Sequence, residues 1–284
     1  MSLVAMRELL IKAKAEKYAV GAFNIVDYAT LEAVVDAAEQ ERSPAIIQTS
    51  ASSTVKYYGY KALVDMVTNV AGKSEMPFAL HLDHCKDLEM VFNCIDSGWT
   101  SVMYDGSSFA FEVNLENSKK VVEKAHAKGI SVEGEIGAVW GVEDDITVDE
   151  HQELLADPDK AAQYAQETSV DAFAPAIGTA HGLYKGEPKL DFERLEEIAG
   201  RVKAPIVIHG GTGLSEEVFR KLISYGAAKI NISTQLKIGY FDGFNSYIEA
   251  GGKTDPIELI KHIRETEKEV VKRFIRVFGS SGKA

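Results

Sequence analysis

The chain has 284 residues, of which 26% are charged and 45% hydrophobic, a balance typical of a globular protein with a substantial core. Its formal net charge of -12 argues against nucleic acid or an anionic membrane as the main partner, but not against a small anionic ligand. The two cysteines, Cys85 and Cys94, form no CxxC motif and favour a reducing cytoplasm. We recognise neither a signal peptide nor a membrane span.

Short apolar segments alternate with amphipathic segments along the chain. The predicted strands are 19–24, 44–48, 77–82, 101–104, 130–136, 171–177, 205–209 and 227–232. The predicted helices are 6–17, 30–41, 57–71, 88–97, 111–128, 158–168, 192–202 and 216–225. Apolar strands that alternate with helices indicate a parallel sheet buried on both faces. Eight such units predict an α/β protein with a closed (β/α)8 TIM barrel, as one domain over residues 1–284 with a helical extension at about 254–278.

Polar side chains collect at the C-terminal ends of the predicted strands, where the active sites of barrels lie. The clearest case is FALHLDHCKD at 78–87, in which two imidazoles and a carboxylate follow an apolar run. Burying these groups unpaired is costly, so a divalent metal would satisfy them. For this stretch alone, hydrogen-bonded structural histidines are the alternative. The other polar residues at strand ends are Asn24, Ser50, Asp105, Glu135, His181, His209 and Asn231.

Three histidines at strand ends, His84, His181 and His209, come from three different units. Three imidazoles with an open fourth position are typical of a catalytic zinc site, and imidazole suits zinc better than magnesium. Cys85 is a further candidate ligand, although its place at the start of the next helix favours a passive role. His81 lies inside the strand and is predicted to belong to the core or to support the ligands.

A glycine-rich turn, HGGTG at 209–213, follows the seventh strand and precedes a helix. Glycines let backbone N–H groups approach an anion, and a helix N-terminus adds a favourable dipole. Asn231, Ser233 and Thr234 supply more donors after the eighth strand, and these two loops form the usual phosphate site of barrels. An ordinary tight turn is the alternative for the glycine motif alone.

Residues 137–150, GAVWGVEDDITVDE, are long for a βα loop, and long loops are commonly lids. Glu143 is a candidate for a carboxylate that the closing loop delivers to the site. The alternative is a solvated acidic loop.

These motifs resemble those of the class II, metal-dependent ketose-bisphosphate aldolases, and the resemblance covers essentially the whole chain. The matching motifs are AFN (22–24), HLDH (81–84), SVMYDGS (101–107), SVEGEIG (131–137), APAIGTAHGLYKGEP (174–188), IHGGTGL (208–214) and KINIST (229–234). The resemblance implies a (β/α)8 barrel in which three histidines hold zinc.

The resemblance also implies roles for individual residues. His84, His181 and His209 fall on the zinc ligands, with Glu135 and Asp105 near the metal as alternatives. Asp83 falls on the residue that exchanges a proton with the C4 oxygen, and Glu143 on the one that handles the proton at C3. The implied substrate and phosphate contacts are Asn24, Ser50, Gly182, Lys185, Gly210, Gly211, Thr212, Asn231, Ser233 and Thr234. The main chain around Gly182 and Gly210 is implied as a place for a monovalent cation, Na⁺ or K⁺.

The expected reaction is the zinc-dependent aldol cleavage and condensation of a ketose bisphosphate, first of all fructose 1,6-bisphosphate. Tagatose 1,6-bisphosphate, a deoxy-phosphogluconate and a sulfonated sugar phosphate stay open, because Ser233 stands where fructose-bisphosphate enzymes often carry Asp or Asn. A metal-dependent hydrolase and a non-catalytic sugar-phosphate-binding barrel are the competing classes. Asp83 and Glu143 together speak against the binding barrel. The resemblance further implies a homodimer or homotetramer.

Overall fold

The computed structural model describes residues 3–143, 146–148, 155–182, 186 and 188–284, with the backbone alone described at 140–143 and 146–148. Its strands are β1 (Val20–Asn24), β2 (Ala45–Ser50), β3 (Phe78–Cys85), β4 (Ser101–Tyr104), β5 (Ser131–Ile136), β6 (Trp140–Glu143), β7 (Ile146–Val148), β8 (Ala172–Pro175), β9 (Ala180–His181), β10 (Ile206–Ile208) and β11 (Ala227–Ile232). Its helices are α1 (Met6–Glu16), α2 (Tyr28–Glu41), α3 (Thr54–Tyr58), α4 (Tyr60–Ala71), α5 (Leu88–Ser97), α6 (Phe111–His126), α7 (Pro158–Thr168), α8 (Phe192–Arg201), α9 (Glu216–Ser224), α10 (Thr234–Glu249) and α11 (Pro256–Val277).

Eight of these strands close into a parallel barrel in the order β1-β2-β3-β4-β5-β8-β10-β11, with β11 pairing back to β1. The longest register joins β2 to β3, from Ala45 opposite Phe78 to Ser50 opposite Asp83. The described strand residues are almost all buried, as expected when helices cover one face of a sheet and a filled interior covers the other. The predicted (β/α)8 barrel is confirmed.

The N-terminal end of the barrel is closed by α1. Met6, Leu10 and Ala13 are fully buried and form an apolar cluster with the first inward-facing residues of the strands, including Val20 and Ile46. This packing keeps water out of one end of the barrel, so polar chemistry is confined to the other end.

Several helices begin where a side chain accepts a hydrogen bond from their first turn. Asp27 accepts from the backbone N–H of Thr30 and completes a capping box before α2. Asp157 and Ser215 likewise accept a hydrogen bond from a backbone N–H in the first turn of α7 and α9. Pro158 occupies the first position of α7. Each such cap typically contributes about 1 kcal/mol. These caps explain why the helices begin directly after the loops at the mouth of the barrel.

The structure differs from the predicted elements in four places. β3 continues beyond residue 82 to Cys85, and the segment 57–71 forms two helices that meet at Gly59, where φ is 81°. The supposed loop 137–150 contains β6 and β7, an antiparallel pair whose first strand is attached to β9. A helix that was not predicted, α10, follows β11, whereas the predicted C-terminal extension is present as the single helix α11. Among the described residues, no helix has the length and hydropathy needed to cross a bilayer.

Candidate active site and metal centre

The three histidines predicted as ligands converge at the C-terminal end of the barrel. His84 lies at the end of β3, His181 on the short β9 after β8, and His209 directly after β10. One ring nitrogen of each lies within 4.8 Å of the others, and His84 Nε2 is 2.6 Å from His209 Nδ1. His181 is 5% exposed and His209 is 2% exposed, so the cluster is screened from bulk water.

The backbone at His84 adopts a left-handed conformation with φ of 43°. This conformation is unfavourable for a residue with a Cβ and persists only where the surroundings hold it. Here it turns the chain at the end of β3, so that Asp83 and His84 both serve the same site. The left-handed turn is therefore part of how one strand supplies two functional side chains.

Carboxylates surround His84 on the side away from the other histidines. Asp105 Oδ2 lies 3.1 Å and Glu135 Oε2 lies 3.7 Å from His84 Nδ1. Burial alone would lower the pKa of His84, but the carboxylates of Asp83, Asp105 and Glu135 outweigh it and raise the pKa well above its usual value. Burial and the neighbouring His84 lower the pKa of His209. The site thus favours positive charge between the two rings, which fits a divalent cation.

A charged layer below the histidines was missed by the sequence analysis. Glu133 Oε1 lies 2.7 Å from His209 Nε2, and Glu133 Oε2 lies 2.9 Å from Lys229 Nζ and 3.5 Å from His81 Nε2. Burial alone would raise the pKa of Glu133, but Lys229 and the hydrogen bond from His209 hold it well below its usual range. The prediction that His81 belongs to the core or supports the ligands agrees with this position. The available signal was charged residues inside two otherwise apolar strands, Glu133 beside Glu135 in β5 and Lys229 in β11.

The hydrogen bonds of the two rings assign their tautomers. His209 Nε2 faces Glu133 and His84 Nδ1 faces Asp105, so these nitrogens carry the hydrogens that the carboxylates accept. The opposite nitrogens, His209 Nδ1 and His84 Nε2, lie 2.6 Å apart, so either a shared proton or a bound cation must keep two lone pairs from facing each other. The raised pKa of His84 favours the proton in the metal-free site, and a metal ion bound by both rings would replace it. The donor set therefore fits a metal ion held by imidazole.

Asp83 lies beside this centre and is 2% exposed. Asn24 Nδ2 donates to Asp83 Oδ2 over 3.1 Å, and Asn231 Nδ2 donates to Asp83 Oδ1 over 3.3 Å. Gln48 Nε2 in turn donates to Asn24 Oδ1 over 2.8 Å, which fixes the orientation of the Asn24 amide. Both oxygens of the carboxylate are thus oriented by side chains of the barrel strands.

The glycine-rich turn packs tightly against its neighbours. Gly210 has φ of 68°, and a Cβ there would lie 2.3 Å from the backbone oxygen of Ala180. A Cβ on Gly211 would lie 2.8 Å from the backbone oxygen of Asn231. The turn can therefore come this close to β9 and β11 only because both positions are glycine.

Polar groups next to this turn are available to an anion. Thr212 Oγ1 accepts from the backbone N–H of Gln235 over 3.3 Å. Ser233 Oγ is buried and has no hydrogen-bond partner among the described residues. Thr234 begins the 16-residue helix α10, so the N–H groups and dipole of its first turn face this region.

The remaining predicted contacts occupy the same end of the barrel where they are described. Gly182 follows His181 with φ of 84°, and Ser50 pairs with Asp83 across β2 and β3. Glu143 ends β6, whose residues Trp140 and Gly141 pair with Ala180 and His181, but its side chain lies outside the described part. Lys185 also lies outside the described residues.

Comparison with known proteins supports this description of the fold. The sequence model of the family "Fructose-bisphosphate aldolase class-II" matches residues 4–283. A "Fructose-bisphosphate aldolase" of Staphylococcus aureus is 40% identical over 287 residues, covering 100% of both chains. The crystal structure of the YdjI aldolase from Escherichia coli K12 superposes with a TM-score of 0.88 at 33% identity, covering 99% of each chain. A fructose-bisphosphate aldolase from Campylobacter jejuni, at 23% identity and a TM-score of 0.86, covers 100% of this chain and 97% of its own, and shares the fold.

The fold and the family match define a carbon–carbon lyase built on a TIM barrel, an aldehyde-lyase. The chain belongs to the class II fructose-bisphosphate aldolase family. The enzyme class predicted from the motifs is confirmed, and the predicted hydrolase and binding-barrel alternatives are set aside.

Proposed function

We propose that the chain catalyses the zinc-dependent, reversible cleavage of fructose 1,6-bisphosphate to dihydroxyacetone phosphate and glyceraldehyde 3-phosphate. The observation that carries the proposal is the convergence of three histidines from three barrel units beside a buried, oriented carboxylate, Asp83. The name of the Staphylococcus aureus relative supports the choice of substrate.

Zinc is the ion that this donor set favours, because imidazole suits a borderline-soft dication. His84, His181 and His209 would hold it, with Glu135 or Asp105 as alternative ligands. When bound, zinc supplies a Lewis acid at the C2 carbonyl, which stabilises the negative charge that develops on the three-carbon fragment. The reaction therefore needs no Schiff-base lysine.

The proton transfers fall to two carboxylates. Asp83 accepts the proton of the C4 hydroxyl as the C3–C4 bond breaks, and C4 becomes the carbonyl carbon of glyceraldehyde 3-phosphate. The electron pair of the broken bond stays with C3, where Glu143 supplies the proton that completes dihydroxyacetone phosphate. The amides of Asn24 and Asn231 support this role, because they orient both oxygens of Asp83 before substrate binds.

The phosphate and hydroxyl groups of the substrate are proposed to bind around the glycine-rich turn and the start of α10. The buried Ser233 hydroxyl and the positive end of the α10 dipole support this placement. The proposed contacts are Asn24, Ser50, Gly182, Lys185, Gly210, Gly211, Thr212, Asn231, Ser233 and Thr234. The main chain around Gly182 and Gly210 is the proposed place for Na⁺ or K⁺.

A cytoplasmic homodimer or homotetramer completes the proposal. Cys85 and Cys94 are both buried and free, which suits a reducing compartment. Phe241, Phe244 and Ile248 on α10 expose large apolar side chains, which supports contact with another subunit. Light scattering on the purified protein measures the mass of the assembly.

A coupled assay tests the proposed reaction directly. Purified protein with zinc is incubated with fructose 1,6-bisphosphate or its C4 epimer tagatose 1,6-bisphosphate, and the release of dihydroxyacetone phosphate is followed. We expect release from the fructose compound, loss of activity on chelation and recovery on addition of zinc. Undiminished turnover after removal of metal, or no release from either compound, would contradict the proposal.

A further inference from the structure

A lysine lies fully buried one layer below the proposed metal ligands, and the proposed chemistry does not use it. Lys229 on β11 and Glu133 on β5 both have side chains with no exposed surface, and Lys229 Nζ lies 2.9 Å from Glu133 Oε2. An ammonium group is rarely buried completely, because it loses its hydration and must be paired. Its presence in the middle of the barrel therefore requires an explanation beyond packing.

The carboxylate that pairs with Lys229 also holds a proposed metal ligand. Glu133 binds Lys229 through Oε2 and accepts from His209 Nε2 through Oε1 at 2.7 Å. The ammonium on one oxygen and the imidazole N–H on the other fix the carboxylate in a single orientation. That orientation leaves His209 Nδ1 as the lone-pair nitrogen, which faces His84 Nε2.

The other group near this carboxylate does not replace the lysine. His81 Nε2 is 3.5 Å from Glu133 Oε2, while its Nδ1 is 2.7 Å from the hydroxyl of Ser101. The contact with Lys229 is a close ion pair at 2.9 Å, without hydrogen-bond geometry, and it is shorter than the 3.5 Å contact with His81. Lys229 is thus the described group that both neutralises and orients Glu133.

We propose that Lys229 is a positioning residue for the metal centre, acting through Glu133 to hold His209 in the orientation and tautomer that bind the ion. The inference rests on the zinc site of the proposed function. Without the ammonium, Glu133 can turn away from His209, and the ring loses the partner that fixes it. Loss of such outer partners typically weakens metal binding about 10- to 100-fold.

The first test replaces Lys229 by methionine, which keeps the length of the side chain and removes the charge. We expect Lys229→Met to raise the Kd for Zn²⁺, measured by competition with a chromophoric chelator, about 10- to 100-fold. The absorption spectrum of the Co²⁺-substituted protein should change as well, because the donor geometry changes. Lys268→Met is the matched control, since Lys268 is a lysine only 8% exposed that pairs with Glu265 on α11. A folded Lys229→Met protein with the wild-type Kd would overturn the inference.

A double-mutant cycle separates action through Glu133 from a general effect of charge. In a Glu133→Gln background, we expect Lys229→Met to change the Kd for Zn²⁺ little, because the carboxylate that it orients is gone. An equal effect of Lys229→Met in both backgrounds would overturn the inference. If Lys229→Met does not fold, the Kd of the double variant for Zn²⁺ is compared with that of Glu133→Gln alone. Equal Kd values support the inference, and weaker binding by the double variant refutes it. Wild-type protein that binds no Zn²⁺ would instead refute the proposed function.

Discussion

Asn24 reaches across β2 to donate its side-chain amide to Asp83 Oδ2 over 3.1 Å. Asn231, on β11, donates its side-chain amide to the other oxygen of the same carboxylate, Asp83 Oδ1. Because β1, β3 and β11 are parts of one closed sheet, the direction of Asp83 is set by the barrel and not by a mobile loop.

Replacing Asp83 by alanine should abolish cleavage while leaving zinc bound. Asp83 is proposed to accept the C4 proton but is not one of the three histidine ligands, so the two properties separate. A positioned acid–base group typically contributes about 10²- to 10⁴-fold in rate, and the loss should fall in that range or above it. Turnover and metal content measured on the same sample check this. Full activity in Asp83→Ala would remove Asp83 from the mechanism.

Replacing Asn24 by alanine should lower kcat about 10- to 100-fold, the effect of losing one hydrogen bond to a charged group. The variant should fold normally, because the lost side chain lies at the open end of the barrel. Asn117→Ala is the control, since Asn117 also donates its amide, to the hydroxyl of Tyr104, but lies on α6 away from the centre. Steady-state kinetics with fructose 1,6-bisphosphate compare the two variants. Equal kcat values for both would show that the Asn24 amide does not support Asp83.

Replacing Gly210 by alanine should be more damaging than replacing Gly129. Both have left-handed backbones, with φ of 68° and 72°, so each alanine has a similar conformational cost of about 1–2 kcal/mol. Only at Gly210 does the new Cβ collide, 2.3 Å from the backbone oxygen of Ala180, while nothing lies within 4 Å at Gly129. Because Ala180 precedes His181, Gly210→Ala should also weaken zinc binding. Urea unfolding and zinc titration of both variants measure this difference, and equal losses would argue against a close approach at Gly210.

Glu267 on α11 should make stability depend on pH. It is 1% exposed, its Oε1 has no hydrogen-bond partner in the described part of the chain, and burial with help from Asp27 raises its pKa to about 8. A raised pKa means that the folded state binds the proton more tightly than the unfolded state. The stabilisation is therefore complete below the ordinary value of 4.5 and is lost as the pH rises through about 8.

Glu267→Gln should remove this dependence because the amide keeps the shape and does not ionise. Over the window between the two pKa values, the wild-type free energy of unfolding should fall by up to roughly 1.4 kcal/mol per pH unit relative to the variant. Urea unfolding at several pH values measures it, with Glu249→Gln, near the exposed end of α10, as the control. Parallel pH curves for wild type and Glu267→Gln would contradict the assigned shift.

Much of the fold was predictable because buried parallel strands are apolar along their length and alternate with helices. The missed helix α10 shows where this reasoning stops. Gly239 and Gly243 lower its helix propensity, yet both face α11, where a Cβ would come within 3.2 Å of Glu267 Oε1 and 3.0 Å of Ile263 Cα. Packing against α11, not local propensity, stabilises this helix.

The site was predictable in its members but not in its connections. His84, His181 and His209 share no ligand spacing, so only their places at strand ends and the family motifs identified them. Lys229 and Glu133 were overlooked because they lie on different strands, and their pairing depends on how the barrel closes. The end of β3 was placed too early, because two of its last three residues, Asp83 and His84, are polar.

The origin of the three histidines in separate parts of the barrel has a consequence for assembly. His84 lies on the third barrel strand, His181 follows the sixth and His209 follows the seventh, so the three are far apart in the chain. In a nascent or partly folded polypeptide the three imidazoles are therefore far apart, and each alone binds a metal ion only weakly. The proposed zinc site is therefore complete only after most of the chain has been synthesised and the barrel has closed, so zinc retained by a sample would report on completed folding.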